Sequence, residues 1–133
     1  MSRGTILIVE NEPFIALELD DGFRDSGYTP ICVPSVAVAV SWLRQNRPTA
    51  AIVNFEDDNP SGQVLFDDLS SKGVLTVVYT GVPIEDDFTA RLPSSLIWIS
   101  KPAAFHEILN AVEQASDQYA LASQGGPDDL AGP

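Results

Sequence analysis

Thr5 to Val9 is a short, continuous apolar run closed by Glu10-Asn11-Glu12-Pro13, the pattern of a buried strand followed by a turn. Pro13 suits a first helical position, where its missing N–H has no intrahelical partner. Ile15, Leu19 and Phe23 then recur at i, i+4 and i+8, predicting a helix to about Asp25 that Gly27 stops. The alternation repeats along the chain. Thr29 to Val33 is a second strand, and Ser35 caps a helix with Val36, Ala39, Val40 and Leu43 on its apolar face. Ala50 to Asn54 is a third strand, with a short helix from Val64 to Leu69 after it; Val74 to Tyr79 is a fourth strand, and Ile84 to Arg91 a weak helix bracketed by prolines. Leu96 to Ile99 is the fifth strand. The last helix starts near Pro102, burying Phe105, Ile108, Leu109, Val112 and Tyr119 while Glu107, Asn110, Glu113 and Asp117 face water.

Strands that are apolar on both faces and alternate with helices predict an α/β fold, a doubly wound five-stranded parallel sheet with five helices. Residues 1–120 form this domain, and the Gly, Pro and Asp content of 121–133 predicts a disordered tail. In such sheets ligands bind beyond the carboxyl ends of the strands. The residues to interrogate there are Glu10, Asn11, Glu12, Asn54, Thr80 and Lys101.

The length of 133 residues bounds the chain to one core. Seven basic against 19 acidic residues, a net charge of −12, leave no material for a phosphate-tracking face, so nucleic acid is not an expected partner. The same acid excess and the absence of a long apolar run argue against a membrane role, and the start of the chain is unlike a signal peptide, so a cytoplasmic location is expected. Cys32, the single cysteine, reads as inert packing, His106 as a surface residue without metal partners, and Trp42 as an exposed side chain off its helix's apolar face.

The segments Ile6-Leu7-Ile8-Val9-Glu10-Asn11-Glu12-Pro13, Ala51-Ile52-Val53-Asn54, Val78-Tyr79-Thr80-Gly81 and Ser100-Lys101-Pro102, in this order and spacing, resemble the receiver domain of bacterial two-component response regulators. The resemblance implies a flavodoxin-like receiver fold and a role in signal transduction. Family members carry an acidic pair after strand one, a phosphoacceptor aspartate ending strand three, a hydroxyl ending strand four, an aromatic switch residue and a lysine after strand five. Glu10 and Asn11 fall on the acidic pair, Asn54 on the acceptor, and Thr80, Trp98 and Lys101 on the switch positions.

Two of these positions depart from the pattern. An amide side chain has no anionic oxygen to attack a phosphohistidine, so Asn54 is not a phosphoacceptor. Magnesium prefers hard anionic ligands, and Asn11 with Asn54 offers neutral oxygens instead, so no metal of high affinity and no cofactor are expected, with magnesium held weakly at most. The expected function is that of a stand-alone, non-enzymatic pseudo-receiver acting through protein–protein interaction. Its partner would be a histidine kinase or a downstream regulator, and a homodimer through the face of the fourth helix, fifth strand and fifth helix is open. Two alternatives remain: an active receiver using Asp57 or Asp58 as an unorthodox acceptor, and a small-ligand-binding flavodoxin-like domain, for which the acidic, glycine-free turn after strand one is a poor phosphate cradle. Lys101 is expected to hold Glu10 or the oxygen of Asn54 through a charge-assisted hydrogen bond.

Overall fold

The computed structural model describes residues 2–55, 61–82, 92–93 and 95–115. Five strands, β1 (Thr5–Val9), β2 (Thr29–Val33), β3 (Ala50–Val53), β4 (Leu75–Thr80) and β5 (Ile97–Ser100), form one parallel sheet in the order β2-β1-β3-β4-β5. Helices α1 (Pro13–Asp25), α2 (Val36–Leu43) and α3 (Ser61–Ser71) connect them, and a last helix covers 105–115. Four helices are therefore seen among the described residues rather than five. The predicted helix from Ile84 to Arg91, the acids Glu56, Asp57 and Asp58, and the proposed tail lie outside those residues.

Period-two alternation in the strands sorts the core into two halves. Ile6, Ile8, Ala50, Ile52, Val77 and Tyr79 pack with Leu19 and Phe23 of α1 and Ile108 and Val112 of the last helix. Leu7, Val9, Ala51, Val53 and Val78 point the other way, onto Ala39 and Leu43 of α2 and Leu65, Phe66 and Leu69 of α3. Both faces of the sheet are covered, which is why its strands read as unbroken apolar runs.

The ends of α1 and α2 follow the sequence signals closely, whereas α3 extends beyond the expected Val64 to Leu69 at both ends. The Glu12 carboxylate accepts from the N–H of Phe14 at the start of α1, and Ser35 Oγ accepts from that of Val38 at the start of α2. Gly27, at φ +94°, reverses the chain after α1, so that the N–H of Tyr28 reaches the Phe23 carbonyl.

Three side chains depart from expectation. Trp42 is half-buried and packs on the α2/α3 core, because its large indole reaches back from the flank of the helix. Glu113 is partly covered rather than free in water, since it pairs with Arg3, whose guanidinium also sits 4.5 Å over the Tyr28 ring. Cys32 is exposed, because β2 is an edge strand and the thiol faces outward against α1.

Candidate functional site

The chain leaves β1 toward β2 on one side and reaches β3 on the other, so the ends of β1 and β3 flank the sheet's topological switch point. Glu10 and Asn11 follow β1, Asn54 follows β3, Thr80 is the last residue of β4, and Lys101 follows β5. Parallel pairing thus gathers residues up to 91 positions apart at one edge. A cleft of about 140 Å³ opens beside them, lined in part by Glu10, Asn11, Ser35 and Asn54.

Glu10 is the best-enclosed charge of the group, its side chain only 2% exposed. Leaving a carboxylate unpaired there would be costly. One oxygen accepts the backbone N–H of Glu12 at 3.0 Å, and the other lies 2.9 Å from the ammonium of Lys101. Lys101, 18% exposed at its side chain, donates a second bond to Asn54 Oδ1 at 3.0 Å. The expected choice between Glu10 and Asn54 as its partner is thus resolved as both. The amide nitrogen of Asn54 in turn donates to Asn11 Oδ1 at 3.2 Å. Glu10, Lys101, Asn54 and Asn11 form one continuous chain of hydrogen bonds, in which the lysine supplies the positive charge.

Among the described residues, those facing this edge suit a divalent cation poorly. Among the described residues no group of three or more His, Cys, Asp or Glu side chains converges on a point. Glu10 is the sole carboxylate in the chain of bonds, and it is already neutralised by an ammonium. Two amides and one paired carboxylate are a weak donor set for magnesium, which favours several anionic or water oxygens in octahedral array.

Thr80 is fully buried. Its hydroxyl donates to the Phe55 carbonyl at 3.0 Å and accepts from the N–H of Val82 at 3.1 Å, so both hydrogen-bonding roles are used. Trp98 does not join the cluster. It packs edge-on against Phe55 at 6.2 Å between centroids, and Phe55 stacks on Phe66 of α3 at 5.8 Å. Phe55 therefore bridges the Thr80 hydroxyl and the Trp98 ring, a role that sequence reasoning missed although the residue directly follows Asn54. Tyr79 was missed as well. Its ring lies 5.5 Å from the Lys101 ammonium, and its hydroxyl accepts the N–H of Ala103, so it steadies the segment after the cis Lys101–Pro102 peptide.

Away from this edge, Cys32 Sγ lies 3.5 Å from an Asp20 oxygen and 3.8 Å from the Ala16 carbonyl. Partial burial, then the negative charge and hydrogen bond of Asp20, push the thiol pKa up to about 11. Such a thiol is a poor nucleophile near neutrality. His106 is exposed, as expected.

No family model matches the sequence, and no curated protein matches it. Among solved structures, the chain is similar to a response regulator receiver protein from Sinorhizobium medicae, with 19% identity and a TM-score of 0.75 over 85% of this chain and 94% of that one. It is also similar to a receiver domain protein from Methanospirillum hungatei, with 16% identity and a TM-score of 0.75 over 86% and 94%. A third match is the signal receiver domain of an HD domain-containing protein from Pseudomonas fluorescens, with 20% identity and a TM-score of 0.73 over 87% and 96%. With the strand order and the edge cluster, these likenesses show that the chain has the response-regulator receiver fold.

Proposed function

We propose that this protein is a receiver-type signalling module that works without phosphotransfer, by binding another protein of a two-component or related pathway. The observation that carries this reading is the side chain of Asn54. It stands at the end of β3 with its oxygen held by Lys101 and its nitrogen bonded to Asn11. Acyl-phosphate formation needs a carboxylate oxygen to attack phosphorus while a cation neutralises the transferring group. An amide cannot supply that nucleophile, and Asn11 and Asn54 together remove two anionic metal ligands.

The module acts as a binder rather than an enzyme, with a histidine kinase or a downstream regulator as partner. The surface of β5 and the last helix, with Glu107 exposed on it, is where such a partner would rest. Thr80 supports a fixed rather than switched conformation, since its hydroxyl already has both a donor and an acceptor role within the protein. A modification shifts a two-state equilibrium only by its preference between the states.

Treatment with acetyl phosphate and magnesium followed by intact-mass measurement tests the reading. The native chain should gain no hydroxylamine-sensitive phosphoryl group, whereas Asn11→Asp/Asn54→Asp should gain one and bind magnesium more tightly. A phosphoryl group on the native chain, at Asp57, Asp58 or elsewhere, would overturn the proposal.

A further inference from the structure

The edge of the sheet where the strands begin, opposite Glu10 and Lys101, carries a larger opening. Thr49 precedes β3, Val74 precedes β4, Ser95 comes shortly before β5, and Ser70 lies in the last turn of α3. Together with Arg47 and Leu75 they line a cavity of about 550 Å³. That is the size of a small-molecule pocket, whereas the cleft of about 140 Å³ beside the edge cluster is not.

The charge of this cavity runs against that of the chain. The protein carries −12 overall, yet among the described residues no carboxylate lines the cavity and a guanidinium does. Arg47 Nε donates to the Lys72 carbonyl at 2.8 Å, which anchors the side chain; its terminal nitrogens have no partner among the described residues. The hydroxyls of Thr49, Ser70 and Ser95 are likewise unbonded among those residues. Nearby Lys72 adds little net charge, because its ammonium lies 3.1 Å from an Asp68 oxygen. Val74 and Leu75 give the cavity an apolar wall.

We infer that this cavity is a binding site for a small organic monocarboxylate with an apolar, hydroxyl-bearing body. The planar fork of a guanidinium matches a carboxylate, and one uncompensated cation balances one negative charge. A phosphate dianion would leave net negative charge in an already acidic protein, and a neutral apolar ligand would strand the guanidinium donors beneath it. Three hydroxyls, each able to donate and accept, suit a polar group on the ligand, while Val74 and Leu75 receive its hydrocarbon part. The site lies at the opposite edge from Asn54, so the inference goes beyond the function proposed above and does not depend on it.

The probe is hydroxynaphthoate, with its two substituents at opposite ends of the rings, and the comparison ligands are the neutral hydroxynaphthamide and naphthyl phosphate. In two-dimensional NMR of the full chain, hydroxynaphthoate should shift amides at 47–49, 70–75 and 95–97 and leave 10–12 and 54 in place. Titration should give a Kd of about 1 mM or tighter for a ligand of this size. The amide should bind about tenfold more weakly or worse, and naphthyl phosphate no more tightly than the carboxylate. Arg47→Gln should weaken binding about tenfold or more, whereas Arg44→Gln, which removes a cation that does not line the cavity, should change it less than about twofold. Ser95→Val leaves the Arg47 anchor intact and should weaken binding about threefold, which decides the matter if Arg47→Gln fails to fold. Shifts centred elsewhere, or none up to about 10 mM probe, would overturn the inference. Equal affinity for the amide or tighter binding of the phosphate would overturn the assigned ligand class, and equal effects of Arg44→Gln and Arg47→Gln would reduce the site to general attraction of an anion by a basic edge.

Discussion

Removing the ammonium of Lys101 leaves the carboxylate of Glu10, 2% exposed at its side chain, with one backbone N–H as its remaining partner. Lys101→Met should therefore lower stability by roughly 1 to 3 kcal/mol in urea melts at pH 7, and Glu10→Gln in the same background should restore part of the loss. Equal stability of Lys101→Met and the native chain would mean that water already satisfies both groups. Cys32 gives a second expectation at this scale. With its pKa raised from 9.0 to about 11, its thiolate fraction at pH 8 falls about 100-fold relative to the unfolded chain. The higher basicity recovers part of the rate, so alkylation by iodoacetamide should be roughly tenfold slower in the native protein than in urea. The rate should keep rising with pH beyond the range where an ordinary cysteine levels off, and Asp20→Asn should bring that rise to lower pH.

Among elements, α1 and the last helix meet closely at Gly22. A Cβ on Gly22 would stand 2.6–2.7 Å from the Phe105 ring, and that ring meets Phe23 edge-on at 5.0 Å between centroids. Gly22→Ala should cost roughly 1 to 3 kcal/mol by overpacking, and Phe105→Leu should relieve much of it in the double variant, as thermal melts of the three proteins would measure. Strands and helices of this kind are legible in the chain because burial on both sheet faces writes them as apolar runs, and Ser35 and Gly27 mark the helix ends through capping chemistry. Element ends are less legible. Helix α3 runs from Ser61 to Ser71 rather than Val64 to Leu69, since polar residues and glycine can continue a helix without any apolar signal. The strand-end residues Glu10, Asn54, Thr80 and Lys101 could be chosen from order and spacing, whereas the Phe55 link from Thr80 to Trp98 depends on ring orientation, which no one-dimensional pattern encodes.

For the whole molecule, five of the six cations among the described residues stand at one edge of the sheet, Lys101 being the exception. Arg3 precedes β1, Arg24 lies in the last turn of α1, and Arg44, Arg47 and Lys72 follow the ends of α2 and α3, which places them at the opposite edge of the sheet from Glu10 and Glu12. Part of this follows from helix geometry, since cations are favoured where helix carbonyls end. Lys72, for example, donates to the Leu43 carbonyl at 2.9 Å, and Arg47 to that of Lys72 at 2.8 Å. With a net charge of −12, repulsion among the remaining carboxylates opposes compactness more than exposed ion pairs support it. Raising ionic strength from about 10 to about 200 mM shortens the Debye length to below 10 Å. The melting temperature should then climb, by roughly 3 to 5 °C for a gain on the order of 1 kcal/mol. A fall would mean that surface ion pairs, rather than net repulsion, dominate the salt response.

The ammonium that Glu10 and Asn54 share is carried by the chain itself, and a charge bonded to the backbone cannot be depleted, competed away or delivered by metabolism. A pocket held by a freely exchanging ion reports the state of the cell around it; on the function proposed above, one held by its own lysine would report that the polypeptide has been made and has folded. The dose of such a module would then be set by synthesis and degradation. Its partner would respond to the number of copies present, and a cell would tune the signal by making or destroying protein rather than by modifying it.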